Sequence, residues 1–333
     1  WRAPFVLVNV SRGLSAPITL GADHNDVLAS RDCGFLQIHC ADCQDLLDSV
    51  LLAYRMAEDP AIRLPVQVNL DGFHLSFTRE PVALPEPAAV RQFLPPFDAQ
   101  GIRFTASAPE SQAVAVLGGS PYSYFRYENH LAALKAVEIY QQVATEFSSL
   151  FQRQWDAVES YRSDDAEIVF YMMGSFATTA RAAVDCLRDA GQNIGLVRPR
   201  LLRPFPGAAI AELLAGKLGV IVIDQNLSMG LGGVLYHELI ASMYGRAAAP
   251  EVITSFIGGL GGRDISAEEF YEMVNVTRQA IATGDIPPPR LLYTENELRE
   301  IRKLQAIARV EREETSWAPG TTHPPDGQGM PRE

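Results

Sequence analysis

The sequence has 333 residues, is 47% hydrophobic and 20% charged, and carries a formal net charge of −12. This is the composition of a globular chain long enough for about two domains. The acidic balance excludes nucleic acid or an anionic membrane as the main partner. No apolar run reaches the ~18 residues of a membrane span, and a cytoplasmic location is expected.

The chain begins with Trp1 and enters an apolar run at residues 4–10 that reads as a buried strand. A native polypeptide seldom enters its fold so abruptly, so the expectation is that the natural N-terminus is missing. Ser11-Arg12-Gly13 follows, then Pro17 and a polar turn, Asp23-His24-Asn25-Asp26. Ligands of open α/β sheets bind beyond the carboxyl ends of the strands. At such a place Arg12 can grip a small carboxylate through two parallel hydrogen bonds, or pair with an acid at a domain seam.

Residues 34–40 read as a short strand and 42–58 as a helix, with Leu46, Leu47, Val50, Leu51 and Tyr54 at helical spacing and Ala41 or Asp42 at the cap position. Residues 64–70 form the next predicted strand and close on the turn Asp71-Gly72. Prolines then cluster through 78–125, which reads as an extended arm crossing the surface. A helix is expected from about 127 to 161, roughly 50 Å long at ~1.5 Å per residue and suited to link two domains.

Strands at 167–173, 193–197, 218–224 and 252–257 alternate with helices at 176–190, 207–215, 232–244 and 266–282, which predicts a doubly wound parallel sheet. From residue 286 onward come a triple proline, a charged helix at about 295–313 and a polar tail at 320–333 expected to be disordered. The expected division is 1–160, 165–285 and 286–333.

Cys33, Cys40, Cys43 and Cys186 read as reduced, buried or half-buried thiols; Cys40-x-x-Cys43 has no second pair and no ferredoxin spacing, so no metal is assigned. Gly174 and Ser175 lie at a strand-to-helix turn that offers either an anion site or a plain helix cap. Gly261 and Gly262 lie in a four-glycine loop, residues 258–264, that admits close approach of a phosphate or of another backbone. The stretch Asp224-Gln225-Asn226 is equally open. Asp23, His24, Asp26, Asp71 and His74 sit at strand ends, where they can serve proton chemistry near Arg12 or simply form turns. Neither GxSxG, HExxH nor a Walker sequence occurs. A stand-alone nucleotide-binding protein using the Gly174 or Gly258 turns is one reading of these features.

Several stretches occur in a shared order: Ser11-Arg12-Gly13-Leu14-Ser15-Ala16-Pro17, Asp23-His24-Asn25-Asp26, Arg31-Asp32-Cys33-Gly34-Phe35, Leu64-Pro65-Val66 through Asp71-Gly72-Phe73, Met173-Gly174-Ser175, Gly195 through Pro206 and Gly258 through Arg263. In this order the chain, from residue 1 to about 285, resembles the alpha subunit of the multi-subunit pyruvate:ferredoxin oxidoreductases. The resemblance implies an α/β chain: a thiamine-pyrimidine-binding-like domain, incomplete at its N-terminus, followed by a transketolase C-terminal-like domain with a doubly wound parallel sheet.

It also implies a reaction. Thiamine diphosphate attacks the keto carbon of a 2-oxoacid, carbon dioxide leaves, electrons pass one at a time to 4Fe-4S clusters and on to ferredoxin, and coenzyme A takes the acyl group. The diphosphate and magnesium would be held mainly by a beta subunit, and the clusters by beta and ferredoxin-like subunits, with a gamma subunit completing the complex. Arg12 matches the family's substrate-carboxylate arginine. The family's cofactor-activating glutamate and a threonine near the substrate precede that arginine, in residues this sequence does not contain. Two roles are therefore implied: a catalytic alpha subunit acting on pyruvate, or a non-catalytic assembly or docking subunit.

Overall fold

The computed structural model describes residues 1–99, 105–109, 111 and 114–316. Residues 1–291 form one compact unit and 292–333 a second.

The first sheet grows from three parallel strands. β1 (Val6–Ser11) pairs with β3 (Val66–Asp71) in a register that sets Ser11 opposite Asp71. β2 (Leu36–His39) pairs with β3 on its other side. Between these strands run α1 (Asn25–Ala29) and α2 (Cys43–Ala57). The Asp42 carboxylate accepts from the Asp45 amide, one of the donors that a helix start leaves unpaired, and so fixes the start of α2. The strand read as buried is in fact an edge: Leu7, Val8 and Val10 are 41%, 46% and 43% exposed. Its apolar run reflects uncovered faces on both sides of the pleat rather than burial.

One helix falls within the stretch read as an extended arm, and the start of another overlaps its end. α3 (Pro87–Phe93) starts with proline at its first turn, where the missing N–H costs nothing. It buries Phe93 against Phe147 and Phe151, with ring centroids 5.6 Å away in each case. α4 (Gly119–Phe151) begins eight residues earlier than expected and ends ten earlier. It stops because Gln152 turns left-handed and Trp155 folds back, its indole N–H donating to the Tyr140 hydroxyl at 2.8 Å. The residues expected to finish that helix instead form β4 (Val158–Tyr161).

The second sheet follows the predicted alternation. In chain order come β5 (Ile168–Tyr171), α5 (Phe176–Asp189), β6 (Ile194–Pro199), β7 (Leu201–Arg203), α6 (Gly207–Leu214), β8 (Gly219–Asp224), α7 (Val234–Met243), β9 (Val252–Ile257), α8 (Ala267–Thr283) and β10 (Arg290–Leu291). The sheet order is β10-β9-β8-β5-β6-β4, all parallel except β4. β5, β6, β8 and β9 are buried along their whole length, as strands covered on both faces require. The short β7 had no strand signal of its own; it leaves this sheet and pairs antiparallel with β2, completing the first sheet as β1-β3-β2-β7. β10 was likewise unanticipated. In the other unit, α9 (Glu295–Ser316) is the charged helix, and the polar tail lies outside the described residues.

The cysteines are free. Cys40 is buried and Cys43 half-buried as expected, but Cys33 and Cys186 are exposed. No helix among the described residues is long and apolar enough to cross a membrane.

Candidate functional site

The carboxyl ends of β3, β5, β8 and β9 meet at one seam. Its centre is Asp71, the last residue of β3 and wholly buried. One carboxylate oxygen lies 2.8 Å from His24 Nε2. The other accepts from the Ser175 amide at 2.7 Å and the Ser175 hydroxyl at 2.6 Å. Burying a carboxylate costs several kcal/mol, and three charge-assisted hydrogen bonds at roughly 1.5–3 kcal/mol each are of the size needed to offset it. Burial works against both charges, yet their mutual attraction prevails: the His24 and Ser175 contacts hold Asp71 down at about 2, and Asp71, helped by Asp26 and Asp23, raises His24 above the ordinary histidine value.

The turn read as an anion site therefore has an anion, and it is internal. Gly174 has φ +81°, and a Cβ there would lie 2.7 Å from the His24 ring and 2.9 Å from the Asp71 carboxylate. Only glycine lets α5 bring its N-terminus onto Asp71. The four-glycine loop also meets backbone. A Cβ on Gly21 would lie 1.9 Å from the Gly261 carbonyl oxygen, one on Gly262 would lie 2.9 Å from Gly21 Cα, and the Thr19 hydroxyl donates to Gly261 O at 3.4 Å. At the end of β8, Gln225 O accepts from the His24 amide at 2.8 Å, and the Asn25 side chain accepts from the Leu227 amide at 3.2 Å. The second sheet thus uses its carboxyl edge to hold the loop that follows β1.

That loop carries Arg12. Its amide donates to Asp26 at 3.1 Å, and the same carboxylate takes the Ser11 hydroxyl at 2.5 Å. The side chain runs across Gly72, where a Cβ would lie 2.6 Å from Arg12 Nε. The guanidinium donates to the Leu20 carbonyl and stands 5.5 Å over the Phe77 ring. Among the described residues it pairs with no carboxylate. Leu20, Phe77 and, packed on Phe77, Phe73 are exposed apolar side chains beside it.

Of the predicted acid–base candidates, His24, Asp71 and Asp26 come together here. Asp23 caps its own turn, accepting from the Asn25 amide at 3.0 Å. His74 packs on Phe176 with ring centroids 5.0 Å apart. Sequence reasoning missed His39, which faces His24 at 5.5 Å and which burial, with the His24 charge, pushes down to about 3. It also missed a buried ion cluster beneath the seam. Arg198 binds Asp45 at 2.9 Å and Glu159 at 2.8 and 2.5 Å, while Arg200 binds Asp45 at 3.0 Å and lies 4.0 Å over Trp155. The available signal was charge embedded in an apolar strand run, residues 194–203.

Two α/β sheets joined at their carboxyl edges are consistent with the thiamine-binding, transketolase-like class, and the family models that match the chain assign it there. Residues 1–146 match the model of the pyruvate flavodoxin/ferredoxin oxidoreductase thiamine diphosphate-binding family, and residues 166–270 match core domain II of pyruvate:ferredoxin oxidoreductase. The chain is 40% identical over 276 residues to pyruvate synthase subunit PorA of Methanothermobacter thermautotrophicus, covering 83% of this chain and 70% of that one. Identity to the ketoisovalerate oxidoreductase subunit VorA of Pyrococcus horikoshii is 31%, covering 86% and 72%. A solved structure of 2-oxoglutarate:ferredoxin oxidoreductase from Magnetococcus marinus superposes with a TM-score of 0.50 at 17% identity, over 84% of this chain and 49% of that one, a likeness of fold. The chain belongs to the pyruvate:ferredoxin oxidoreductase family, and it is an enzyme subunit of the PorA kind.

Proposed function

We propose that this chain is the alpha subunit of a thiamine-diphosphate-dependent 2-oxoacid:ferredoxin oxidoreductase that converts pyruvate and coenzyme A to acetyl-CoA and carbon dioxide, with electrons passed to ferredoxin. The observation that carries this reading is Arg12: a guanidinium held from three sides, by Leu20 O, Gly72 and Phe77, with no carboxylate neutralising it among the described residues. A fork of donors so fixed suits the planar carboxylate of a 2-oxoacid. The carboxylate leaves as neutral carbon dioxide, so it has to be held while the keto carbon reacts.

Thiamine diphosphate supplies, when bound, the nucleophilic carbon for that attack. The residues present fit the ring side of such a cofactor, since Leu20, Phe73 and Phe77 offer open apolar side chains beside Arg12. Among the described residues no three His, Cys, Asp or Glu side chains cluster as metal ligands. On the family resemblance, magnesium and diphosphate are assigned mainly to the beta subunit, and the 4Fe-4S clusters to the beta and ferredoxin-like subunits, with a gamma subunit completing the complex. Arg12 orients substrate, while the Gly174–Ser175 and Gly261–Gly262 turns are interface loops that brace it. In this reading residues 1–160 are the pyrimidine-side domain, 165–285 the transketolase C-terminal-like domain and 286–333 an appendage.

A second reading, a non-catalytic docking subunit, draws on the exposed apolar edge at Leu7, Val8 and Val10, which suits a surface for a partner. The two readings separate in the reconstituted complex. Coenzyme-A-dependent ferredoxin reduction is measured with pyruvate, ketoisovalerate and 2-oxoglutarate in turn. The catalytic reading expects turnover, fastest with pyruvate. Turnover that persists when this chain is left out of the complex supports the docking reading.

A further inference from the structure

Arg12 follows the last residue of β1 in the first sheet, and the second sheet braces the loop that carries it. Ser11 stands opposite Asp71 in the β1–β3 register, and the Gly72 amide donates to Ser11 O at 2.9 Å. Gly72 carries no side chain, and the Arg12 stem occupies the space a Cβ would fill. The backbone at 71–72 is therefore the floor on which the arginine rests. What holds that floor is the Asp71 side chain, which turns away from Arg12 into the seam and takes both the amide and the hydroxyl of Ser175 at the N-terminus of α5. His24 completes the grip from the loop that also ends the Arg12 segment.

We propose that Asp71, gripped by Ser175, is a positioning residue for the substrate: it ties the second sheet to the strand end that carries Arg12 and so sets where the guanidinium sits. The proposal rests on the reading of Arg12 as the carboxylate anchor. Asp71 touches neither substrate nor cofactor in this account; it acts through Gly72 and Arg12. The physical basis is the steep dependence of rate and binding on placement, in which a shift of about 1 Å costs up to ~100-fold. A donor fork that matches a carboxylate with two bonds is more sensitive to such a shift than a point charge would be.

The test is a double-mutant cycle on the reconstituted complex, reading KM for the 2-oxoacid, kcat and Tm together. Asp71→Asn and Ser175→Ala should each raise KM, the former about tenfold, with kcat changed less than about twofold. In an Arg12→Ala background neither should raise KM further, because the residue they act through is gone. If Asp71→Asn fails to assemble, Ser175→Ala, which keeps the amide donor, decides by the same criterion. Variants that lower Tm but leave KM at the wild-type value overturn the proposal, as does a KM increase of equal size with and without Arg12. Arg12→Ala alone tests the anchor: no change in KM there removes the anchor itself, whereas a raised KM with silent Asp71 and Ser175 variants removes only the coupling.

Discussion

Asp71 and Ser175 lie 104 positions apart in sequence, and the carboxylate of one takes both the amide (2.7 Å) and the hydroxyl (2.6 Å) of the other. This contact joins the last residue of a strand in the first sheet to the start of a helix packed on the second. The seam between the sheets is thereby a polar lock rather than an apolar face, and glycines permit it wherever backbone must come close.

Gly174 is the position that borders the His24–Asp71 contact itself. Gly174→Ala places a methyl 2.7 Å from His24 at φ +81°, and should cost more than the strain alone, about 1–3 kcal/mol, because the His24–Asp71 contact must also open. Gly191→Ala is the control: φ is +79° but nothing lies within 4 Å, so a loss of about 1 kcal/mol is expected. Chemical denaturation of the two variants checks the difference; equal losses would mean that the seam tolerates the methyl.

The ion cluster under the seam should be intolerant of losing one member. Arg198 is 1% exposed and serves Asp45 and Glu159 at once. Burial opposes the Asp45 charge, and Arg198 with Arg200 holds its carboxyl below the ordinary range. Arg198→Met leaves the buried Asp45 with Arg200 as its remaining cationic partner and is expected to cost about 3 kcal/mol, the low end for breaking a buried pair. Lys135→Ala, which breaks an exposed pair with Glu138, should leave Tm unchanged. Thermal unfolding of the two variants side by side gives the comparison.

Stability should depend on pH through groups that oppose one another. Burial, with the His24 charge, holds His39 at about 3. Its folded value lies below the unfolded one of ~6.5, so its contribution is complete above ~6.5 and is lost as pH falls toward 3. Burial pushes Asp224 up to about 7, against the amide hydrogen bonds it accepts from Leu235 and Tyr236. That contribution is present below ~4 and is lost as pH rises through 7. Between ~4 and ~6.5 the two nearly cancel. Asp224→Asn should uncover the His39 limb, with stability climbing as pH rises across that window by up to ~1.4 kcal/mol per pH unit. A level profile in calorimetry of this variant would contradict the assignment.

His24 acts on the alkaline side. Burial disfavours its charge, but Asp71 raises its folded value above the unfolded one, so its contribution is full below ~6.5 and is lost as pH rises through the raised value. His24→Gln should flatten this alkaline decline, as read by unfolding between pH 7 and 9; an unchanged decline would place its origin elsewhere.

The second sheet was legible because its strands are continuous apolar runs buried on both faces, each followed by a helix of plain 3.6-residue period. Asp42 was legible as a cap from its place before Cys43. The first sheet was harder to read. β1 has the composition of a central strand but lies at an edge, and β7 is three residues long and is defined by its partner β2 rather than by its own pattern. α3 was hidden by prolines, one of which starts it. At the seam, His24, Asp71 and Arg12 were recognisable as strand-end residues. That Ser175 caps an internal carboxylate, and that Gly21 meets Gly261, depend on contacts across more than a hundred residues that no local spacing encodes.

The central claim is that Arg12 anchors the carboxylate of a 2-oxoacid. Its most direct test is kcat/KM for pyruvate in the reconstituted complex with Arg12→Ala. Loss of a two-bond, charge-assisted contact predicts a fall of about 100-fold, carried mainly by KM, with partial recovery in Arg12→Lys. An Arg12→Ala complex with wild-type kcat/KM would contradict the account.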